Sequence, residues 1–373
     1  MARADSLRMR AGQIFCACDI DGLPLDLDAI PKDASIFRMA TAFGLTVLSQ
    51  VLALSVLPLA SASLATPSSA LPLPYLALLF GSALASFPAS FLMDMFGRKS
   101  AFALGASLGL AGGILAAWAL YQRQYPAFMI GVLWLGIAQG FGLFYRHAAA
   151  MAAGAGGMVF GAGVIGALVA PFVISLLTYF SGPFVSAATL AVSGVVSLAM
   201  LGIAVTLPSR RIEIETIERD VKRPSWILFL GATEIAALAW LGMTGIMAHA
   251  PLAMAGCGIS MSMSSIAMAA HLSAMYWPGF FIGRLVVKLG AFPTSLIGLS
   301  MVAIGGIATL YQSNVIGFTL AMSFAGFGWG MATIGATAAL HRAGRPTPAA
   351  LALHDVALFL AAMLGAAIFG RLA

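Results

Sequence analysis

Long apolar stretches constrain the fold of this chain more than any other feature of its sequence. An α-helix needs about 20 predominantly apolar residues to cross a bilayer. Charged residues make up only 9% of the chain and hydrophobic residues 61%. The sequence therefore predicts an all-α, polytopic membrane protein rather than a soluble domain. Its eleven apolar stretches lie at about 36–62, 72–93, 100–121, 126–145, 152–179, 183–206, 226–249, 262–283, 291–311, 314–338 and 348–370.

The basic residues predict how these helices are oriented. With the N-terminus in the cytoplasm, 17 of the 19 Lys and Arg residues fall in cytoplasmic segments, as the positive-inside rule requires. The net charge of +6 therefore reflects membrane orientation and does not indicate a nucleic-acid partner. The polar first 35 residues lack the apolar core of a cleavable signal peptide.

The chain also contains an internal repeat. The segment "SFLMDMFGRK" after the second stretch resembles "GFFIGRLVVK" after the eighth, 189 residues later. Two related helical bundles are expected, as in transporters built from repeats. The same offset places a twelfth helix at about 371–395, beyond the last residue given. The aligned positions are Ser90, Asp94 and Lys99 with Gly279, Gly283 and Lys288.

The repeat and the polar breaks predict four parts. A polar cytoplasmic segment, 1–35, precedes a six-helix bundle, 36–207. A charged cytoplasmic linker, 208–225, leads to the C-terminal bundle, 226–373.

The loop "DMFGRK" resembles the signature loop of the major facilitator superfamily, Gly-x-x-x-Asp-Arg-x-Gly-Arg-Lys/Arg. Ser90 and Met95 depart from that pattern, and the glycine-rich stretch from Gly161 to Pro171 is similar to the superfamily's fifth helix. The resemblance implies a major facilitator fold that works by alternating access. It also implies a gating role for the matching loop residues Asp94, Gly97, Arg98 and Lys99.

Two pairs of soft metal ligands stand out in neighbouring apolar stretches. Met243 and Met247 lie one helical turn apart, as do His271 and Met275, so each pair shares a helix face. Thioethers and imidazole suit Cu(I), but methionine is also a flexible packing residue. The residues alone leave two interpretations open, a copper site and a sulfur-rich packing seam.

Further soft ligands lie toward the outer side. Met261 and Met268 share the helix face of His271, and Cys257 lies in the preceding loop. In the copper interpretation these residues form a relay of exchangeable ligands from outside to the middle of the membrane.

The two ligand pairs on the seventh and eighth helices resemble those of CcoA-type copper importers, which are major facilitator proteins of bacterial inner membranes. The resemblance implies import of copper for assembly of cbb3-type cytochrome c oxidase. Copper would be the substrate, with Met243, Met247, His271 and Met275 as its ligands. Partners would be membrane lipid and a cytoplasmic copper chaperone, with Cys16 and Cys18 as a cytoplasmic relay. No bound organic cofactor is expected.

Two other functions remain open at this point. The chain could transport a small organic solute such as a vitamin, metabolite or drug, with the methionines lining an apolar pocket. Glu234, an acid within the seventh stretch, would then be the candidate for proton coupling. The third alternative is a membrane scaffold or assembly factor. An enzyme is not expected, since the sequence contains no Walker motif for ATP hydrolysis.

Polar residues also occur at the cytoplasmic ends of the fourth and eleventh stretches. Arg146 and His147 are expected to anchor the helix at the membrane interface. Alternatively, Arg146 pairs with an acid across the cytoplasmic mouth. His354 and Asp355 open the eleventh stretch, where Asp355 could interact with the inner gate.

Overall fold

The computed structural model describes residues 34–64, 72–150, 155–207, 226–342 and 346–369, and the regular structure in these ranges is helical. The all-α prediction is confirmed. Short 3-10 helices span Gly182–Phe184 and Trp277–Phe280. The α-helices are α1 (Ala34–Ser63), α2 (Leu73–Tyr121), α3 (Tyr125–Ala150), α4 (Ala155–Gly161), α5 (Gly163–Ser181), α6 (Val185–Val205), α7 (Trp226–Gly256), α8 (Met261–Tyr276), α9 (Ile282–Leu289), α10 (Ala291–Thr309), α11 (Val315–Arg342) and α12 (Pro348–Phe369).

The helices have the lengths that membrane crossing requires. Eight helical stretches in the described ranges are long and apolar enough to cross a membrane. Two of these, Leu73–Tyr121 with 49 residues and Ala155–Val205 with 51, suffice for two crossings each, because one crossing takes about 20 residues. α8 has 16 residues and continues through the second 3-10 helix toward α9. Within the described residues, each apolar stretch identified in the sequence thus lies on one helix or on consecutive helices.

Six crossings return the chain to the side of the membrane where it began. We call the helices before residue 208 the first half, and those after residue 225 the second half. The side on which α1 and α7 begin is called the N-side. The predicted cytoplasmic segment 1–35, except for its last two residues, and the whole linker 208–225 lie outside the described residues.

Equivalent glycines mark the same turn in both halves. Gly97 interrupts α2 with φ 81° and ψ 173°, and Gly290 separates α9 from α10 with φ 93° and ψ 157°. Side chains other than glycine rarely adopt such positive φ values. The two turns are 193 residues apart rather than 189. The predicted alignment of Lys99 with Lys288 is therefore wrong by four residues. It matched two charged residues, whereas the equivalent positions are the glycines that form the two turns.

Small residues bring helices into close contact in both halves, as the high glycine content predicts. A Cβ atom on Gly112 of α2 would meet the backbone of Gly131 on α3 at 2.7 Å. In the second half, a Cβ atom on Gly298 of α10 would meet the backbone of Gly328 on α11 at 2.5 Å. Close backbone approach of this kind is how membrane helices associate, because lipid provides no hydrophobic force between them.

Candidate functional site

A central cavity lies between the two halves, and its empty space, which includes a part open to solvent, amounts to about 590 Å³. Helices α1, α2 and α3 of the first half line it together with α7, α8 and α11 of the second. Ligand sites of transporters built from repeats lie in this position, near the middle of the membrane. The lining residues are Gln50, Val51, Leu54, Tyr75, Leu79, Gln139, Leu143, Trp240, Met243, Thr244, Met247, Leu272, Met275, Tyr276 and Trp329.

Aromatic rings form one wall of this cavity. The ring centroids of Trp240 and Trp329 are 5.2 Å apart, and those of Tyr276 and Trp329 are 6.0 Å apart. Trp240 donates its indole N–H to the Thr333 hydroxyl at 3.1 Å, which fixes the orientation of the ring. Phe160 of the first half packs against Tyr276 at 5.1 Å between centroids. The rings are thus held in place by contacts from both halves.

The polar groups of the cavity are amides and hydroxyls. Gln139 is 5% exposed, and its Oε1 has no hydrogen-bond partner in the described part of the chain. Gln50 lines the same space. Thr244 already donates to the Ala362 carbonyl at 2.8 Å. None of the described residues that line the cavity is charged, so the site is suited to an uncharged ligand with both a flat ring and hydrogen-bonding groups.

The structure brings three of the four predicted copper ligands to this cavity. Met243, Met247 and Met275 line it, whereas His271 is not among the lining residues. His271 is fully buried and donates its Nδ1–H to the Met322 carbonyl on α11 at 2.7 Å. Its Nε2 has no partner among the described residues.

Two residues of the predicted relay, Cys257 and Met268, have side chains that the structure describes. Cys257 is exposed, with its Sγ 4.0 Å from the Gln312 carbonyl, and Met268 is half-buried against the core. Within the described ranges, no group of three or more His, Cys, Asp and Glu side chains could hold a metal ion. The predicted relay residues Cys16 and Cys18 and the side chain of Met261 are outside the part of the chain that the structure describes.

Glu234 lies away from the cavity. It is exposed on the surface of α7, whereas Met243 on the same helix is buried. The nine-residue spacing predicts opposite faces of the helix, and the structure agrees. Glu234 therefore does not contact a ligand in the central cavity.

The predicted gating loop lies near the middle of α2, at the N-side turn where Gly97 interrupts this helix. Asp94 is exposed and Gly97 forms the turn described above. Arg98 donates to the Ala148 carbonyl of α3 at 2.8 Å, and Lys99 is half-buried. The contact of Arg98 joins two helices of the first half rather than the two halves.

A buried polar cluster joins the two halves at their N-side ends. Arg146 is 2% exposed and His147 also 2%, so the prediction that they anchor the helix at the membrane interface is wrong. The alternative is correct, because Arg146 pairs with Asp355 at 2.5 Å. We call Arg146, His147, His341, His354 and Asp355 the Arg146–Asp355 cluster.

Histidines complete this cluster. The Nε2 of His147 lies 3.2 Å from the same Asp355 Oδ1 that binds Arg146, and its Nδ1 lies 3.3 Å from the Nε2 of His341. The Nδ1 of His354 lies 2.9 Å from the Thr233 hydroxyl on α7. Only His341 was not singled out in the sequence. It could have been noticed as a polar residue at the end of an apolar stretch, but its contact with His147 depends on the packing of α11 against α3.

The helical architecture and a neutral cavity between two halves define a membrane transporter for solutes. The chain belongs to the major facilitator superfamily. It is 30% identical over 330 residues to the riboflavin transporter RfnT of Brucella anthropi, covering 84% of this chain and 81% of that protein. It is 24% identical over 289 residues to the uncharacterized MFS-type transporter YdeG of Bacillus subtilis, covering 69% of this chain and 66% of that protein.

Solved structures show the same fold. The xylose transporter XylE from E. coli, in a partially occluded inward-open conformation, matches with a TM-score of 0.70 and 18% identity, covering 91% of this chain and 92% of that one. No protein-family model matches the sequence. These similarities support transport by a major facilitator protein. They do not support the predicted copper import, and the alternative of a small organic solute agrees with them better.

Proposed function

We propose that this chain transports a small, flat, uncharged organic solute through the central cavity, with riboflavin as the first candidate. The observation that carries the proposal is the cavity lining, in which the rings of Trp240, Tyr276 and Trp329 accompany the amides of Gln50 and Gln139. The similarity to a riboflavin transporter supports the same class of substrate.

The lining chemistry favours a neutral flavin over its phosphate ester. A flavin ring stacks on aromatic side chains, and a glutamine amide offers both donors and an acceptor to its imide and carbonyl groups. A phosphate carries at least one full charge, and burial of an unpaired charge is strongly unfavourable. Since no described lining residue is charged, we expect selection against phosphorylated flavins.

We further propose that the N-side faces the cytoplasm of a bacterial cell and that the protein is a multi-pass protein of the inner membrane. The distribution of basic residues supports this orientation. Ser90 of α2 donates to the Pro348 carbonyl of α12 at 2.6 Å, and Gly157 of α4 packs against Gly279. These contacts join the halves on the N-side, so the cavity is closed toward the cytoplasm, one of the two states that alternating access requires.

Radiolabelled riboflavin uptake tests this proposal. Cells that lack riboflavin synthesis and other flavin uptake should accumulate the label when they express the chain. Excess unlabelled riboflavin should compete, and excess riboflavin 5′-phosphate should not. Uptake no greater than in cells with an empty vector would contradict the flavin assignment.

Copper import is the second candidate, because of one observation at His271. Its Nδ1–H is held by the Met322 carbonyl, which leaves the lone pair of Nε2 free, as in histidines that bind metals. The thioethers of Met243, Met247 and Met275 lie at the nearby cavity. The site would then hold copper as cargo.

A His271→Asn variant separates the two candidates. Asparagine can keep the hydrogen bond to the Met322 carbonyl but lacks the second ring nitrogen. Because His271 does not line the cavity, we expect riboflavin uptake to fall by no more than about threefold, within the effect of many conservative substitutions. Copper uptake, measured in the same cells with radioactive copper, should equal the empty-vector level for both wild type and variant. Wild-type copper uptake that His271→Asn abolishes would support the copper candidate instead.

A further inference from the structure

The Arg146–Asp355 cluster lies where the two halves must separate for the N-side to open. Arg146 and His147 belong to α3 of the first half, and Asp355 belongs to α12 of the second. Both side chains of the ion pair are almost fully buried, at 3% and 0% exposure. Opening the N-side therefore breaks a buried ion pair, and its strength controls the closed state.

Asp355 differs from the other acids of the described chain. Asp94 and Glu234 are exposed, so Asp355 is the one buried acid in these ranges. Its Oδ1 is shared by Arg146 and His147, and its Oδ2 has no partner among the described residues. The free oxygen can accept a proton while Oδ1 remains in the cluster.

Protonation would change the charge balance of this cluster. With Asp355 ionised, the pair with Arg146 is neutral overall and attractive across the halves. With Asp355 protonated, Arg146 remains positive and buried, with Nε and Nη1 also without partners in the described residues. An uncompensated buried charge is unfavourable, so protonation favours separation and hydration of the N-side.

The surrounding charged and titratable groups are compatible with this role. α11 contributes His341, and α12 itself contributes His354. α7 contributes the neutral Thr233 hydroxyl, while Glu234 faces away. On α2, Arg98 donates to the Ala148 carbonyl next to the cluster, and Asp94 and Lys99 lie beside it at the turn formed by Gly97. None of these groups is a second buried carboxylate that could bind the proton or pair with Arg146 in place of Asp355.

The cluster is connected to the central cavity. Arg146 lies seven residues after Gln139 on α3, which corresponds to about 10 Å along the helix. Thr233 lies the same number of residues before Trp240 on α7. Gln139 and Trp240 both line the cavity. The cluster therefore lies about two helical turns from the cavity along α3 and α7.

We propose that Asp355, supported by His147, is the proton-binding site that couples solute movement to proton movement, by releasing Arg146 and opening the N-side when protonated. The proposal rests on transport by alternating access, as proposed above, but not on the identity of the solute. It assigns proton coupling to the joint between the halves instead of to Glu234. The proton enters on Asp355 in one state and leaves it when Arg146 returns.

The first test measures opening without any solute. Spin labels are attached to Ser100→Cys and Ala349→Cys, two exposed N-side positions in opposite halves. The distance between the two labels is measured by double electron–electron resonance. The three native cysteines are replaced by serine. Acidification should convert the short distance into a longer one. Asp355→Asn should give the long distance at both acidic and alkaline pH, and Glu234→Gln, the matched control, should respond like the parent protein.

A charge-balanced variant keeps the test valid if Asp355→Asn is poorly folded. Arg146→Gln combined with Asp355→Asn leaves no buried charge in the pair, and its label distance should not respond to pH. A pH response retained in this double variant or in Asp355→Asn would overturn the proposal. Loss of the response in Glu234→Gln would also overturn it.

Proteoliposomes with riboflavin then test coupling itself. The charge-balanced Arg146→Gln, Asp355→Asn variant should retain exchange of labelled for unlabelled riboflavin but lose at least tenfold of the accumulation driven by a proton gradient. Equal gradient-driven accumulation in variant and wild type would overturn the proposal. Absence of riboflavin exchange by the wild-type protein would instead contradict the proposed solute, and the label distances would still decide the role of Asp355.

Discussion

Replacing Gly279 by valine is expected to reduce transport at least about fivefold by preventing the N-side from closing. A Cβ atom at this position would lie 2.5 Å from the Gly157 carbonyl oxygen and 2.7 Å from the Gly161 Cα. Both neighbours are backbone atoms, so no side chain can rotate away. Overpacking of this kind costs about 1–3 kcal/mol, which corresponds to a shift of about 5- to 150-fold between two conformations.

The loss should arise from the conformational equilibrium and not from the cavity. Gly279 lies in the 3-10 helix after α8 and is not among the residues that line the cavity. Initial rates of solute uptake measure the loss, and the label distance between residues 100 and 349 should show an N-side that stays open. Gly202→Val is the matched control, since a Cβ atom on Gly202 of α6 meets nothing within 4 Å. Normal transport by Gly279→Val would contradict the assignment of this contact to the closed state.

The fold could be predicted from the sequence because the membrane requires every crossing to be a long apolar helix. Each apolar stretch lies on the helices that the structure shows, and the loop around Asp94 indicated the superfamily correctly. The repeat was detected, but its register differed by four residues. Its offset came from matching Lys99 with Lys288, whereas the turns themselves depend on Gly97 and Gly290.

The candidate site was less accessible from the sequence. The spacing of Met243 and Met247 places them on one face, and they do line the cavity. The same argument for His271 failed to place it there, because α11 packs against the helix and binds its Nδ1–H. Spacing defines a face of one helix, but the neighbour that covers that face depends on tertiary packing.

The aromatic and amide lining illustrates the same limit. Trp240 lies within an apolar stretch, where a tryptophan considered alone is typical of a packing or membrane-interface residue. It contacts Trp329 on another helix at 5.2 Å between centroids, 89 positions later in the chain. Gln139 was not singled out, because one amide in an apolar helix gives no periodic pattern. Both are candidate binding residues because the packing of the two halves places them in the lining of one cavity.

Replacing Gln139 by leucine is expected to weaken solute binding strongly while leaving the protein folded. The Oε1 atom of Gln139 is buried and has no partner in the described part of the chain. An unsatisfied buried acceptor costs about 1–3 kcal/mol, and a solute N–H donor, such as the imide of riboflavin, would relieve this cost on binding. Leucine has a similar size and cannot accept a hydrogen bond. The KM for uptake should therefore rise about tenfold, the change that corresponds to 1.4 kcal/mol.

The stability of this variant provides the sharper part of the test. Removing an unpaired polar group from an apolar environment should leave the melting temperature of the solute-free protein unchanged or raise it, whereas the stabilisation by added riboflavin should decrease with the lost affinity. Gln122→Leu, at an exposed position after α2, should change neither the KM nor the stabilisation by riboflavin. An unchanged KM in Gln139→Leu would show that the solute does not donate to this amide. A lower melting temperature without riboflavin would show that Gln139 holds the helices together instead of holding the solute.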